Sequence, residues 1–272
     1  MNVEAQDEAP GVARRPAATR ETTVANRRWW DLSADDYQLE HGDFLGDTGF
    51  VWGPEGLDEA AAGLLGEVAG RRVLEVGCGA AQCARWLTTR GGRTVGLDLS
   101  TRQLQHARRI DDETGVRVPV VAGTATSLPF ADHTFDIVFS AFGALQFVQE
   151  AGRAVREAAR VLRAGGIFAF SVTHPIRWSM PDDPTSAGLV VTSSYWDRTP
   201  YVEQDDSGEV TYAEHHRTIG DWVRILARAG FRLTDVVEPE WPEGHDRVWG
   251  GWSAIRGRHT PGTAIFAADL EH

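Results

Sequence analysis

An α/β fold with a doubly wound, mostly parallel sheet is predicted by three observations. Short apolar runs alternate with segments of helical periodicity between residues 72 and 173. The first run empties into the glycine turn Val73-Leu-Glu-Val-Gly-Cys-Gly-Ala80. The second, Arg93-Thr-Val-Gly-Leu-Asp98, follows about twenty residues later and ends in a carboxylate, which in such folds accepts the hydroxyls of a ribose.

In order along the chain, residues 1–24 are rich in Ala, Arg, Glu and Pro without apolar periodicity, and the composition predicts a disordered leader ahead of a domain over 25–272. Residues 26–40 take helical spacing, with Trp29, Trp30 and Tyr37 as the large side chains, and a second amphipathic helix is expected over 57–68. Strands follow near 72–76, 93–98, 117–121, 135–139 and 166–173, with helices near 81–89, 100–113 and 150–162. A helix over 218–229 and strands over 231–237 and 263–268 complete a seven-stranded sheet. The excursion over 174–217 is too long for a simple connection and is expected to form an inserted lid, with 190–196 pairing against 210–217 across 201–208.

Chemistry concentrates at the first turn. Gly77 and Gly79 can adopt backbone angles closed to other residues, and the helix after them points free N–H groups at a ligand. A glycine turn used only for packing gives the same pattern. Asp98 at the expected distance favours a nucleoside, and Ala81 stands where a dinucleotide site wants a third glycine. Glu75 beside the turn repels pyrophosphate and suits a cationic amino acid end or a sulfonium.

With these features in place, the chain resembles the class I S-adenosylmethionine-dependent methyltransferases over about residues 29–268. Glu75, Gly77 and Gly79 match the first motif and Asp98 the acid ending the second strand; Gly123-Thr-Ala-Thr-Ser-Leu-Pro-Phe130 resembles the adenine-side loop. Phe135-Asp-Ile-Val-Phe-Ser140 resembles the fourth strand, and Arg160-Val-Leu-Arg-Ala-Gly-Gly166 the turn before the fifth. The resemblance implies a Rossmann-like methyltransferase fold of strand order 3214576, and S-adenosyl-L-methionine as cofactor. The implied cofactor residues are Glu75, Gly77, Cys78, Gly79, Asp98, Leu99, Thr124, Ala125 and Ser140, with Tyr37 from a leading helix. Thr124 departs from the family pattern, which usually has an acid there, so weaker cofactor binding is expected.

Acceptor residues should come from segments leaving the fourth, fifth and sixth strands. These supply Phe142, Trp178, Trp241 and His245, and the lid supplies Tyr201. Five of the ten tryptophans, Trp178, Trp196, Trp241, Trp249 and Trp252, fall in the lid and late loops. Such rings suit a flat acceptor or form a second core; both readings stay open. His174, directly after the fifth strand, is the first candidate for a base, and a plain loop histidine is the alternative. His216 serves as a further candidate or caps the sixth helix, and Glu203 is a third candidate unless it lies in a solvated turn. The lid and tail also resemble actinobacterial methyltransferases, some of which methylate the indole carbon of tryptophan-derived cyclic dipeptides.

Composition narrows the setting. A net charge of −12 argues against nucleic acid as substrate. No apolar run approaches the roughly twenty residues of a membrane span, and no secretory signal precedes the domain, so a cytoplasmic enzyme of secondary metabolism is expected. The two cysteines, Cys78 and Cys83, are expected to stay reduced, and no His or Cys spacing matches a metal site. The expectation is methyl transfer to a small aromatic or heterocyclic metabolite; a non-catalytic cofactor sensor or scaffold is the alternative.

Overall fold

In the computed structural model, which describes residues 11–271, the elements run in chain order as follows. The first part holds β1 (Val12–Arg14), α1 (Thr19–Leu45), α2 (Glu59–Ala62), β2 (Arg72–Val76), α3 (Gln82–Thr89), β3 (Arg93–Asp98), α4 (Thr101–Thr114) and β4 (Val120–Ala122). Then come β5 (Phe135–Ser140), α5 (Ala151–Val161), β6 (Leu162–Thr173), β7 (Tyr201–Gln204), β8 (Val210–Glu214), α6 (Ile219–Arg228), β9 (Phe231–Val237), α7 (Ala254–Gly257) and β10 (Thr263–Leu270).

Seven strands form the main sheet in the order β4-β3-β2-β5-β6-β10-β9. Counted from β2, this is the 3214576 order that the resemblance implies. All neighbours are parallel except β10, which runs antiparallel to both β6 and β9. The central strands read as continuous apolar runs because helices cover both faces. Side-chain alternation sends Val138 into one core layer with Phe168, Phe170, Phe266 and Trp222. Its neighbours Ile137 and Phe139 enter the other, with Phe50, Trp52 and Ile265.

The lid differs from the expectation. Residues 190–196 form no strand; the hairpin is β7 against β8, turning through Asp205 and Gly208, and β1 pairs with β7 on its far side. The leader is corrected over its described part. Residues 12–14 are this third lid strand, and α1 begins at Thr19, with the Glu21 carboxylate accepting the N–H of Ala18 and pairing with Arg15 at 2.7 Å. Residues 1–10 lie outside the described part. The helix expected over 57–68 shrinks to the four residues of α2, because Gly63 and Gly66 adopt left-handed angles that end it.

Two polar seams hold α1 in place. Asn26 donates to the carbonyls of Phe147 and Ala213 and accepts the N–H of Ala213, fastening α1 to β8. Farther along, Asp31 accepts from the Ser100 hydroxyl at 2.7 Å, while Asp35 binds Arg102 and His106 on α4. In this way α1 bridges the lid and the main sheet, and its inner face closes over the strand ends.

Candidate active site

Beneath α1, at the carboxyl ends of β2, β3 and β5, lies a cavity of about 1330 Å³, its open mouth included. It sits where β3 and β5 diverge on either side of β2, the switch point at which open parallel sheets bind ligands. The turns after β2 and β5 touch backbone to backbone there. Gly77 takes φ +74, and a Cβ on it would stand 2.7 Å from the carbonyl carbon of Gly143. No other residue fits that crossing without displacing a turn.

Two carboxylates, Glu75 buried and Asp98 half-buried, form the floor. One oxygen of Asp98 accepts the Gly79 N–H at 2.8 Å and the other accepts the Ser100 N–H at 2.8 Å. Further lone pairs remain on both oxygens for a ligand diol. Burial pushes the Asp98 carboxyl up to about 6. Glu75, 2% exposed, accepts the Ala84 N–H at 2.9 Å at the start of α3, and burial pushes it up to about 8. Among the described residues no arginine or lysine lines the cavity, so it suits a cation or a neutral nucleoside and repels a pyrophosphate. The Thr124 hydroxyl meets that of Thr126 at 3.0 Å and accepts the Thr126 N–H, so the adenine-side loop offers a pair of hydroxyls where the family usually has an acid.

Nine of the ten residues expected at the cofactor line this cavity: Tyr37, Glu75, Gly77, Cys78, Gly79, Asp98, Leu99, Thr124 and Ala125. Ser140 does not. It is fully buried and its hydroxyl has no partner among the described residues, because alternation at the end of β5 brings Ala141 to the wall instead. Both cysteines line the cavity as free thiols.

Of the five acceptor candidates only Phe142 reaches the wall, held at φ +56, a strained angle for a non-glycine residue. Its N–H donates to Ser171 Oγ, which in turn donates to the Trp52 carbonyl. Trp178 and Tyr201 lie elsewhere. Trp178 is buried with the guanidinium groups of Arg14 and Arg177 over its ring, and Tyr201 donates to Glu203. The two rings meet at 6.1 Å beside the lid sheet, whose own small core is Ala17, Ala25, Val202, Val210 and Ala213. Trp241 packs on Gly257 and donates to the His245 carbonyl, and His245 bonds the Pro54 carbonyl at 2.8 Å, behind the wall.

None of the three base candidates reaches the cavity, which corrects that expectation. His174 accepts the Ile176 N–H on Nδ1, so its Nε2 donates to Glu238 at 2.7 Å, and the ring braces a turn. Burial lowers its pKa. His216 bonds the Tyr195 carbonyl just before Thr218, which caps α6, and Glu203 faces Tyr201 on the lid sheet.

Residues that the sequence did not assign to the site, and one member of its late tryptophan cluster, complete the wall. Thr19, Thr23 and Asn26 come from the first turns of α1, Phe147 and Gln149 from the segment after β5, and Trp249 from the loop before β10. The Trp249 ring stacks on His41 at 3.9 Å. Gln38 links the helices by accepting from Gln82 and donating to Gln103.

Comparison with known proteins agrees with this geometry. Residues 74–170 match the family model described as a methyltransferase domain. The protein named Methyltransferase GfsG from Streptomyces halstedii is 39% identical over 106 residues, 38% of this chain and 38% of its own. A demethylmenaquinone methyltransferase from Renibacterium salmoninarum is 36% identical over 112 residues, 41% of this chain and 45% of its own. The chain thus spans less than half the length of these curated relatives. An S-adenosylmethionine-dependent methyltransferase structure from Mesorhizobium loti is 28% identical with a TM-score of 0.61, covering 80% of this chain and 100% of its own. By sheet order and by sequence alike, this chain is similar to the class I S-adenosylmethionine-dependent methyltransferases, and its residues 74–170 carry their methyltransferase domain.

Proposed function

We propose that the chain transfers the methyl group of S-adenosylmethionine to a small, flat, aromatic or heterocyclic metabolite in the cytoplasm. One observation carries this reading: a single cavity runs from the strand-end carboxylates to an aromatic chamber lined by Trp30, Phe142 and Phe147. The acidic floor and the glycine crossing fit a sulfonium nucleoside. Asp98 would hold its ribose hydroxyls, Glu75 would face its cationic end, and Thr124 with Thr126 would take the adenine side. When bound, the cofactor supplies an electrophilic methyl group.

The chain's own contribution is alignment and exclusion of water. Trp30 and Phe147 meet edge to face at 5.5 Å, and Trp30 meets Tyr37 at 5.4 Å, so three rings form a rigid apolar wall. A flat acceptor stacked there would sit beside the strand ends. Fixing two reactants in this way is worth effective molarities on the order of 10⁵ M or more. The net charge of −12 favours a small-molecule acceptor over nucleic acid, and among the described residues no helix is long and apolar enough to cross a membrane.

Tryptophan-derived cyclic dipeptides, with the indole carbon as acceptor atom, are the first compounds to try. The test is formation of S-adenosylhomocysteine by the purified protein on their addition, with cofactor binding measured separately. Product above the acceptor-free rate supports methyl transfer to this class. Tight cofactor binding without product from these or other aromatic metabolites would favour a sensor or scaffold.

A further inference from the structure

Proton traffic separates the two ends of the cavity. Among the described residues the ionisable side chains on its wall are Tyr37, Glu75, Cys78, Cys83 and Asp98. Glu75 and Asp98 are held at the strand ends by backbone N–H groups. Burial raises the phenol of Tyr37 and both thiols, which keeps them neutral. The opposite end is lined by Thr19, Thr23, Asn26, Trp30, Phe147 and Gln149, none of which ionises in water near neutral pH.

Hydrogen bonding there is largely committed. Asn26 spends both ends of its amide on β8 and Phe147, and the Thr23 hydroxyl donates to the Thr19 carbonyl. The Thr19 hydroxyl donates to Gln149 Oε1 at 2.8 Å, across the rim of the cavity. That bond orients the Gln149 amide and leaves its N–H₂ group and the lone pairs of the Thr19 hydroxyl for a ligand. Arg217, beside this end, donates to the carbonyls of Val148 and Gln149 and does not line the cavity, so an anionic acceptor would meet no cation among the described residues of the wall and an acidic floor below.

We propose that this end of the cavity takes an uncharged planar heterocycle, reads its hydrogen-bonding edge through Gln149 and Thr19, and leaves any proton it loses to water. The inference rests on the methyl-transfer reading above. An electron pair on a ring nitrogen or electron-rich ring carbon forms the new bond to the methyl carbon. The sulfur–carbon bond breaks with its pair remaining on sulfur, and a proton on the methylated atom departs to solvent through the mouth.

The full chain, methyl-labelled S-adenosylmethionine and a small-molecule extract of the host test this, with the extract separated at pH 7 into anion-exchange-retained and flow-through pools. Label is expected in the flow-through pool, and kcat at saturating cofactor should stay within about twofold from pH 7 to 9. For the labelled acceptor so found, Gln149→Ala should raise KM by roughly tenfold with little change in kcat. Label confined to the retained pool, a kcat that rises with an ionisation of the enzyme, or an unchanged KM in Gln149→Ala would overturn the proposal. Absence of label from both pools, with cofactor bound by equilibrium dialysis, would instead overturn the methyl-transfer reading.

Discussion

The wall of the cavity formed by β2, β3 and their turns is assembled from residues near one another in sequence, while the wall formed by α1 and the late loops joins residues far apart. Glu75 meets Ala84 nine positions on, and Gly79 meets Asp98 nineteen positions on. Across the cavity Thr19 meets Gln149 at a separation of 130, Asn26 meets Ala213 at 187, and Pro54 meets His245 at 191. The first wall can be carried by short motifs and serves a ligand common to a family. The second depends on how one chain closes on itself, and that is where the proposed function puts acceptor choice.

Breaking the first wall should produce the largest effect. In Asp98→Ala the ribose-side acceptor is gone and the Gly79 and Ser100 N–H groups lose their partner. Cofactor Kd measured by calorimetry should weaken on the order of 100-fold, with transfer lost in parallel. Retained affinity would detach Asp98 from the cofactor.

Breaking the second wall should separate stability from cofactor binding. Asn26→Ala strands the Phe147 carbonyl and both backbone groups of Ala213, at a cost of about 2–4 kcal/mol. The melting temperature should fall by roughly 5–10 °C and the acceptor KM should rise, with cofactor Kd nearly unchanged. A large loss of cofactor affinity would show that the two walls are not independent.

The same division explains what could be read from sequence. The strand ends, the glycine turn and the acid of β3 were legible because each is fixed by local spacing and a parallel register. The extent of α1 was not, because its seam with α4 is polar, through Asp31, Asp35, Ser100 and Arg102, and leaves no apolar stripe. Compositional disorder was therefore inferred for residues that begin a helix and line the site. Adjacency to a strand end selected His174, but its side chain is turned away by the Ile176 N–H two positions on and by Glu238, 64 positions on. The lid aromatics were visible as a cluster, yet only the folded chain distinguishes Trp249 on the wall from Trp178 in a core.

Acidity sharpens the comparison further. Glu75 is held near 8 and Asp98 near 6 by burial, so each is neutral below its value and ionised above it. A cationic ligand favours the ionised forms. Cofactor affinity should therefore be greatest above pH 8 and fall as pH drops, approaching about tenfold per pH unit once Glu75 is mostly protonated. Calorimetry in buffers of different ionisation enthalpy should detect proton release on binding. An affinity independent of pH between 6 and 8 would mean that Glu75 does not face the cation.

The smallest effect is expected at His174. In His174→Gln the turn loses a brace outside the cavity, so turnover should remain within about twofold and stability should fall by about 1 kcal/mol. Loss of turnover with a normal melting curve would return this histidine to the reaction.

The most direct measurement follows a labelled methyl group by mass spectrometry from S-adenosylmethionine into the host's small molecules, comparing the unaltered chain with Asp98→Ala. Label should enter a planar, uncharged metabolite with the unaltered chain and be lost with the variant. Cofactor bound by the unaltered chain, with no label passed to any metabolite, would contradict a cavity shared by donor and acceptor.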